Sequence, residues 1–233
     1  MSKPRRPRKP IQLALPIPQR GGKRKGAGRK PKGDRAGMSH AKRSRLTRHQ
    51  AVHVTLRFHR DVHGMRNRHG WAILRRSFHE GRERFGFRLV HFSVQRTHLH
   101  MIAEAKDARA LALGIQGLCI RVAHGVNRRL GRSGRVFADR YHARVITSPR
   151  QARHVLAYCL LNARHHAAQS GASLPRDWYD PYSSAAYFDG WADGMPPPPE
   201  DDDPVVPARA WLLTTGWRRH RLLRPWEIPG TPS

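Results

Sequence analysis

Between residues 51 and 168 the apolar positions fall into successive runs whose spacing switches between two and about 3.6 residues. Val52, Val54, Leu56 and Phe58 alternate with His53, Thr55 and Arg57, the period of a strand with one buried face. From Arg66 to Phe85 the apolar residues Trp71, Leu74, Phe78 and Phe85 keep near-helical spacing, and Gly86 stands where a helix would be capped. Residues 87–94 and 97–105 predict two neighbouring strands joined by a tight Gln95-Arg96 connection. Asp107 then caps a helix whose Leu111, Ile115, Leu118, Val122 and Val126 form one apolar stripe, ended by Gly131. A fourth strand is expected over residues 135–146, and Pro149 opens a third helix running to about Ala168.

This order is β-α-β-β-α-β plus a helix. It predicts an α+β, ferredoxin-like (split βαβ) sandwich with a four-stranded antiparallel sheet and an added C-terminal helix. Alternation assigns Val52, Val54, Leu56, Phe58, Val90, Phe92, Val94, Leu99, Met101 and Ala103 to the face under the first two helices. The opposite face carries His53, Thr55, Arg57, His91, Ser93, His98 and His100, left for the third helix or a ligand.

Charge changes the picture. The 45 Lys+Arg outnumber the 16 Asp+Glu by 29, far more than solubility demands of a chain of 233 residues. A polyanionic partner is implied, and nucleic acid leads. Residues 1–50 hold 17 Lys and Arg and one acid, Asp34, in a Pro- and Gly-interrupted arm expected to be disordered alone and to bind DNA through its phosphates. Within it Gly26 to Gly33, GAGRKPKG, resembles an AT-hook, which would place Arg29 and Lys30 in the minor groove of A·T-rich duplex. A phosphate-binding run without groove preference is the alternative. A P-loop is excluded, because no Gly-Lys-Ser/Thr stands at the required offset.

Residues 51–170 form the expected folded domain, and 171–233 a Pro-rich, acidic linker and a Trp-rich basic tail. Pro196 to Pro199 lead into Glu200 and Asp201 to Asp203, a boundary-like stretch. Beyond it Trp211, Trp217 and Trp226 alternate with basic residues, a pattern that suits docking onto the domain better than stacking on bases. Cys119 and Cys159 are too few for a disulfide framework or a thiolate zinc site and fit small core positions. No apolar run approaches a membrane span or a secretory signal, so a cytoplasmic, nucleoid-associated protein is expected, with no membrane partner.

The chemistry gathers in two places. In THLHMI, His98 and His100 lie on the same side of a strand with Leu99 turned into the core, so two imidazoles can converge on one ion. With 16 histidines in the chain, two surface histidines on a basic strand remain the alternative. On the third helix, a ~100° advance per residue gathers Ala152, Leu156, Cys159, Leu160 and Ala163 into an apolar arc. Gln151, His154, Tyr158, Asn162 and His165 form a separate polar stripe. A tyrosine kept for packing belongs in the arc, and Tyr158 is outside it; an amphipathic residue bridging core and solvent is the competing reading.

These residues resemble the HUH single-strand DNA nucleases, and more closely the REP-associated and insertion-sequence single-tyrosine transposases. The resemblance covers about residues 50–168. THLHMI resembles the family's His-hydrophobic-His strand, GRVFADRYHARVI (134–146) the strand before its last helix, and AYCLLNARHH (157–166) its tyrosine helix. Asn162 is followed by Ala-Arg where many REP-associated members have Pro-Val. The resemblance implies that His98 and His100 ligate a divalent ion, Mg²⁺ or Mn²⁺, with Asn162 as third ligand and Tyr158 as nucleophile. It also implies a bacterial DNA transposase or endonuclease that cleaves and rejoins single-stranded or hairpin DNA through a 5′-phosphotyrosine. Whether such a protein works as monomer or homodimer is left open by its relatives.

Arg57 and Arg140 are candidate phosphate contacts, with solvated charge as the alternative for each. Glu104 and Asp107 suit a metal shell, or equally a strand end and a helix cap. Two rival functions share the fold order or the chemistry: a non-catalytic single-strand-binding module of RNA-recognition type, and a replication-initiator or relaxase relative.

Overall fold

The computed structural model describes residues 46–47, 50–197 and 203–230. The basic arm with Arg29 and Lys30, and the acidic residues 200–202, lie outside them. Strand β1 (Ala51–Arg57) is followed by helix α1 (Arg68–Gly81), a short strand β2 (Glu83–Arg84), β3 (Phe87–Val94) and β4 (His98–Ala105). Helix α2 (Ala108–Arg129), β5 (His142–Val145), α3 (Pro149–Leu160), α4 (Asn162–Gln169) and a one-turn α5 (Trp211–Thr214) complete the order. The strands pair as β2-β3-β4-β1-β5, antiparallel throughout. Without β2 this is the ferredoxin-like order expected from the sequence; β2 makes the sheet five-stranded instead of four-stranded.

The reason for β2 is local. The helix expected to run to Phe85 ends at Gly81, and Phe85 (φ 55°) and Gly86 (φ 79°) both turn left-handed. Two consecutive positive-φ residues make the tight turn that twists with its strands, so Glu83–Arg84 folds back onto β3 as a hairpin. Asn-Gly suits such a turn; a phenylalanine in the first position costs about 1–2 kcal/mol. Phe85 is 67% exposed, not part of the helix stripe.

Helices α1 and α2 cover one side of the sheet. Leu74 and Phe78 of α1 and Ile115, Leu118, Val122 and Val126 of α2 bury against Val54, Leu56, Phe92, Leu99 and Met101. Each such side chain contributes roughly 1.5–3 kcal/mol of burial. Asn67 and Asp107 cap the two helices, accepting from the Gly70 and Ala110 N–H groups at 2.9 and 2.7 Å. Gly114 lets α2 approach the sheet closely, since a Cβ there would sit 2.1 Å from Phe87 Cγ.

One residue departs from the expected faces. Leu89 pairs with Ala103 and His91 with Ile102, leaving Val90 as an extra residue in a β-bulge. Leu89 and Phe92 therefore join the α1/α2 side, while Val90 packs with Ile102 on the other. The expected assignment of Val90 to the first face fails because alternation breaks at that bulge.

The second side of the sheet is covered by α3. Ala152, Val155, Leu156, Cys159 and Leu160 bury together with Ala185, Phe188, Trp191, Leu213, Trp217 and Leu223 from residues 185–223. Trp217 is fully buried and donates its indole N–H to the Leu213 carbonyl at 2.9 Å, whereas Trp211 is 48% exposed. The buried Asp180 carboxylate receives both Arg66 terminal nitrogens at 2.9 and 3.0 Å, tying this later segment to the start of α1.

Two further expectations are corrected. The strand expected over 135–146 is regular only at His142–Val145; before it the backbone is irregular, with an isolated bridge between Phe58, just beyond β1, and Phe137. Arg140 sits in that irregular stretch, with its N–H held by the Asp139 carboxylate at 2.7 Å. The third helix expected to reach Ala168 breaks at Leu161 (φ −109°, ψ 13°) into α3 and α4. Arg164 anchors α4 by donating to the carbonyls of Leu174, Pro175 and Trp178. Ala163 is only partly buried, while Asn162, expected in the polar stripe, is fully buried.

Candidate active site

The pleat of β4 turns His98 and His100 toward α3 while Leu99 enters the first core at 1% exposure. Their rings meet edge to face with centroids 4.6 Å apart. On neighbouring β1, His53 and Thr55 face the same way. His100 Nδ1 lies 3.2 Å from both His53 Nε2 and Thr55 Oγ1, and His98 Nδ1 lies 3.1 Å from Thr97 Oγ1. With the proton assigned to each Nδ1 and given to a threonine oxygen, both Nε2 atoms keep a lone pair. His100 Nε2 is buried and has no hydrogen-bond partner in the protein.

Electrostatics keep these rings neutral. Burial pushes the His98 pKa down to about 4, helped by the positive charge of His166 and Arg57. Burial pushes His100 down to about 2, helped by His53, His98 and His166. His53 falls to about 4, from burial first and then the charge of His142 and Arg144. Near pH 7 these three imidazoles are bases with free electron pairs rather than cations.

Helix α3 brings Tyr158 to the same place. Its ring stands edge-on to His100 with centroids 5.0 Å apart and to His53 at 6.1 Å. Desolvation is the main cause that raises its pKa, with the neighbouring Cys159 adding, so the phenol is protonated at neutral pH. A contact with the Asn162 side chain opposes that rise. It falls short of hydrogen-bond geometry, for both amide atoms of Asn162 are buried without a partner. An unsatisfied buried amide costs roughly 1–3 kcal/mol per group, so a native structure that keeps one holds it for something else.

Tyr158, His98, His100 and Asn162, picked out from the sequence, thus come together at one site. Arg57 is exposed at the end of β1, opposite His98 in register and near enough to depress its pKa. Glu104 and Asp107 do not join: Glu104 pairs with the buried Arg88 and Asp107 caps α2. Cys159 is fully buried and burial raises both thiol pKa values, that of Cys119 to about 12. Sequence reasoning missed His53, Thr55, His165 and His166 as parts of the site. Alternation had already put His53 and Thr55 on this face, and His165 in the Tyr158 stripe; its ring lies 6.4 Å from Tyr158. For His166, 6.3 Å from His98, no periodic signal existed.

Among the described residues no group of three or more His, Cys, Asp or Glu side chains is arranged to hold a metal. An ion held by the His98 and His100 imidazoles would need a third donor of another type. His100 Nε2 and both side-chain amide atoms of Asn162 are buried without a protein partner.

No family model matches the chain, and none of the curated proteins matches it. Among solved structures it is similar to a REP-associated tyrosine transposase bound to a REP hairpin, at 16% identity and a TM-score of 0.48. The likeness covers 63% of this chain and 82% of that one. Likeness at that distance leaves activity and ligand to the geometry of the site itself. No helix among the described residues is long and apolar enough to cross a membrane.

Proposed function

We propose that this protein is a tyrosine-dependent DNA endonuclease and strand-transfer enzyme of transposase type, acting on single-stranded or hairpin DNA. One observation carries the reading: the Tyr158 ring stands 5.0 Å from His100, whose buried Nε2 has no protein partner, and the Asn162 amide beside Tyr158 has none either. His98, His100 and Asn162 would hold Mg²⁺ or Mn²⁺. A bound divalent ion supplies charge neutralisation and electrophilic activation of a phosphodiester at neutral pH.

The protein's own groups do the rest. The Tyr158 oxygen attacks phosphorus and forms a 5′-phosphotyrosine; the bond from phosphorus to the 3′ oxygen breaks, and the phenolic proton ends on the leaving 3′-hydroxyl. Because the Tyr158 pKa is raised, that proton leaves during attack and not before it. A second 3′-hydroxyl reverses the step, so strands are rejoined without an external energy source. Threonine hydroxyls on the Nδ1 atoms hold the imidazole tautomers, and Arg57 beside His98 suits a phosphate. The net charge of +29 supplies affinity for the backbone. The arm residues Arg29 and Lys30, and Arg140, are proposed as further DNA contacts.

A passive single-strand reader using an open sheet is disfavoured, since α3 and residues 185–223 cover that face. The test is a denaturing gel with labelled hairpin DNA and Mn²⁺. The parent protein forms a covalent adduct and Tyr158→Phe, which keeps the ring contacts, forms none. An adduct of equal yield in Tyr158→Phe overturns the assignment.

A further inference from the structure

On the same side of β4 as the histidines, six residues from His98 and so about 20 Å along the strand, Glu104 reaches a second cavity. It has a volume of about 640 Å³ and is lined by Phe85, Trp211, Arg84, Lys106 and Arg209 above the Arg88–Glu104 pair. Nothing in the site around Tyr158 uses it.

Its two aromatics are unusual. Phe85 is 67% exposed and held at φ 55°, so neither core burial nor backbone preference accounts for a phenylalanine there. Trp211 is 48% exposed and yet fixed: the preceding N–H groups of Arg209 and Ala210 donate to buried Glu104 Oε1 at 2.8 and 2.7 Å. Gly216 packs so close that a Cβ would lie 2.7 Å from Trp211 Cζ3, and the Arg219 guanidinium stands 5.0 Å from the indole. The cation set is in excess. Arg88 is matched by Glu83 and Glu104, Arg209 shares Glu83, and neither Arg84 nor Lys106 has a carboxylate partner among the described residues.

An exposed Phe85 ring, a fixed Trp211 and cations without carboxylate partners, Arg84 lying 5.5 Å over Phe85, form the combination that binds unpaired nucleotides, bases stacking and phosphates pairing. We propose that this cavity is a binding site for single-stranded DNA outside the nucleotides that react at Tyr158. It rests on the reading that the protein acts on DNA, and extends the substrate along β4.

The test uses the full chain and a labelled hairpin carrying either a short or a long oligothymidylate flank, with affinity read by fluorescence anisotropy. The long flank binds the parent more tightly. In Phe85→Asn that advantage falls by about 10-fold, one stacked base by the usual scale, while Tm rises, because asparagine suits the left-handed turn. Trp211→Ala loses the advantage too, and Phe85→Tyr keeps it. A structural role for Phe85 gives the opposite pairing, lower Tm with unchanged affinity, and overturns the proposal. So does equal competition by blunt duplex DNA. The Tyr158 adduct is scored separately: its absence in the parent, with the Phe85→Asn affinity loss intact, sinks the cleavage reading and leaves this site standing.

Discussion

His53 stacks on His100, ring centroids 5.2 Å apart, with His53 Nε2 3.2 Å from His100 Nδ1. His53 thereby holds the ring of a proposed ligand without being one, a relation that would tune a metal bound there from behind. His53→Ala is expected to weaken Mn²⁺ binding by about 10-fold, read by electron paramagnetic resonance titration. Unchanged Mn²⁺ affinity would show that Thr55 alone orients His100.

The double variant His98→Ala with His100→Ala removes both imidazoles from β4. It should abolish Mn²⁺ binding and metal-dependent adduct formation while leaving the salt-sensitive affinity for DNA nearly intact, since that affinity comes from Lys and Arg. Cleavage at the parental rate in this variant would remove the metal assignment.

His91 offers a pH test away from the site. It is buried beside Ser184 and Phe188, and burial pushes its pKa down to about 3 from an ordinary 6.5. Between those values the unfolded chain takes up a proton that the folded one refuses. Its contribution is full above pH 6.5 and is lost as pH falls toward 3, about 2 kcal/mol by pH 5. In urea unfolding at pH 7 and pH 5, His91→Leu should lose less stability than the parent by that amount. Equal losses would count against burial as the cause.

Glu104 is 4% exposed, pairs with Arg88 and accepts the Arg209 and Ala210 N–H groups. Glu104→Ala leaves Arg88 with Glu83 and the Pro207 carbonyl but strands the Arg209 and Ala210 N–H groups, at a cost of about 2 kcal/mol or more. Limited proteolysis should then cut within residues 203–223 before the remainder of the domain. Resistance equal to the parent would mean that the Trp217 and Leu223 packing alone secures the segment.

Much of this was legible in the sequence because each signal was local and repeated. The alternation around Val54, the stripe from Leu111 to Val126, the Asp107 cap and Pro149 each state their element within one or two turns. Tyr158 stood out by being off the apolar arc, and His98 and His100 by sharing a pleat. What stayed hidden depends on contacts far apart in the chain or on single backbone angles. Phe85 looked like a helix residue because its spacing continues the stripe, although α1 ends at Gly81 and Phe85 turns left-handed in a hairpin. The break at Leu161 has no proline or glycine to announce it. The burial of Asn162 depends on a helix axis that spacing alone cannot bend.

Val90 shows how much one inserted residue decides. Upstream of it odd-numbered positions of β3 face α1 and α2; downstream the even-numbered ones do, so the strand changes parity midway. Deleting Val90 would place His91 directly after Leu89 and restore strict alternation with Leu89 and Phe92 both still facing α1 and α2. Flattening the bulge while keeping Val90 would instead shift one half of β3 by one residue and turn its apolar side chains to the other layer, so the extra residue and the bulge that absorbs it must be gained or lost together.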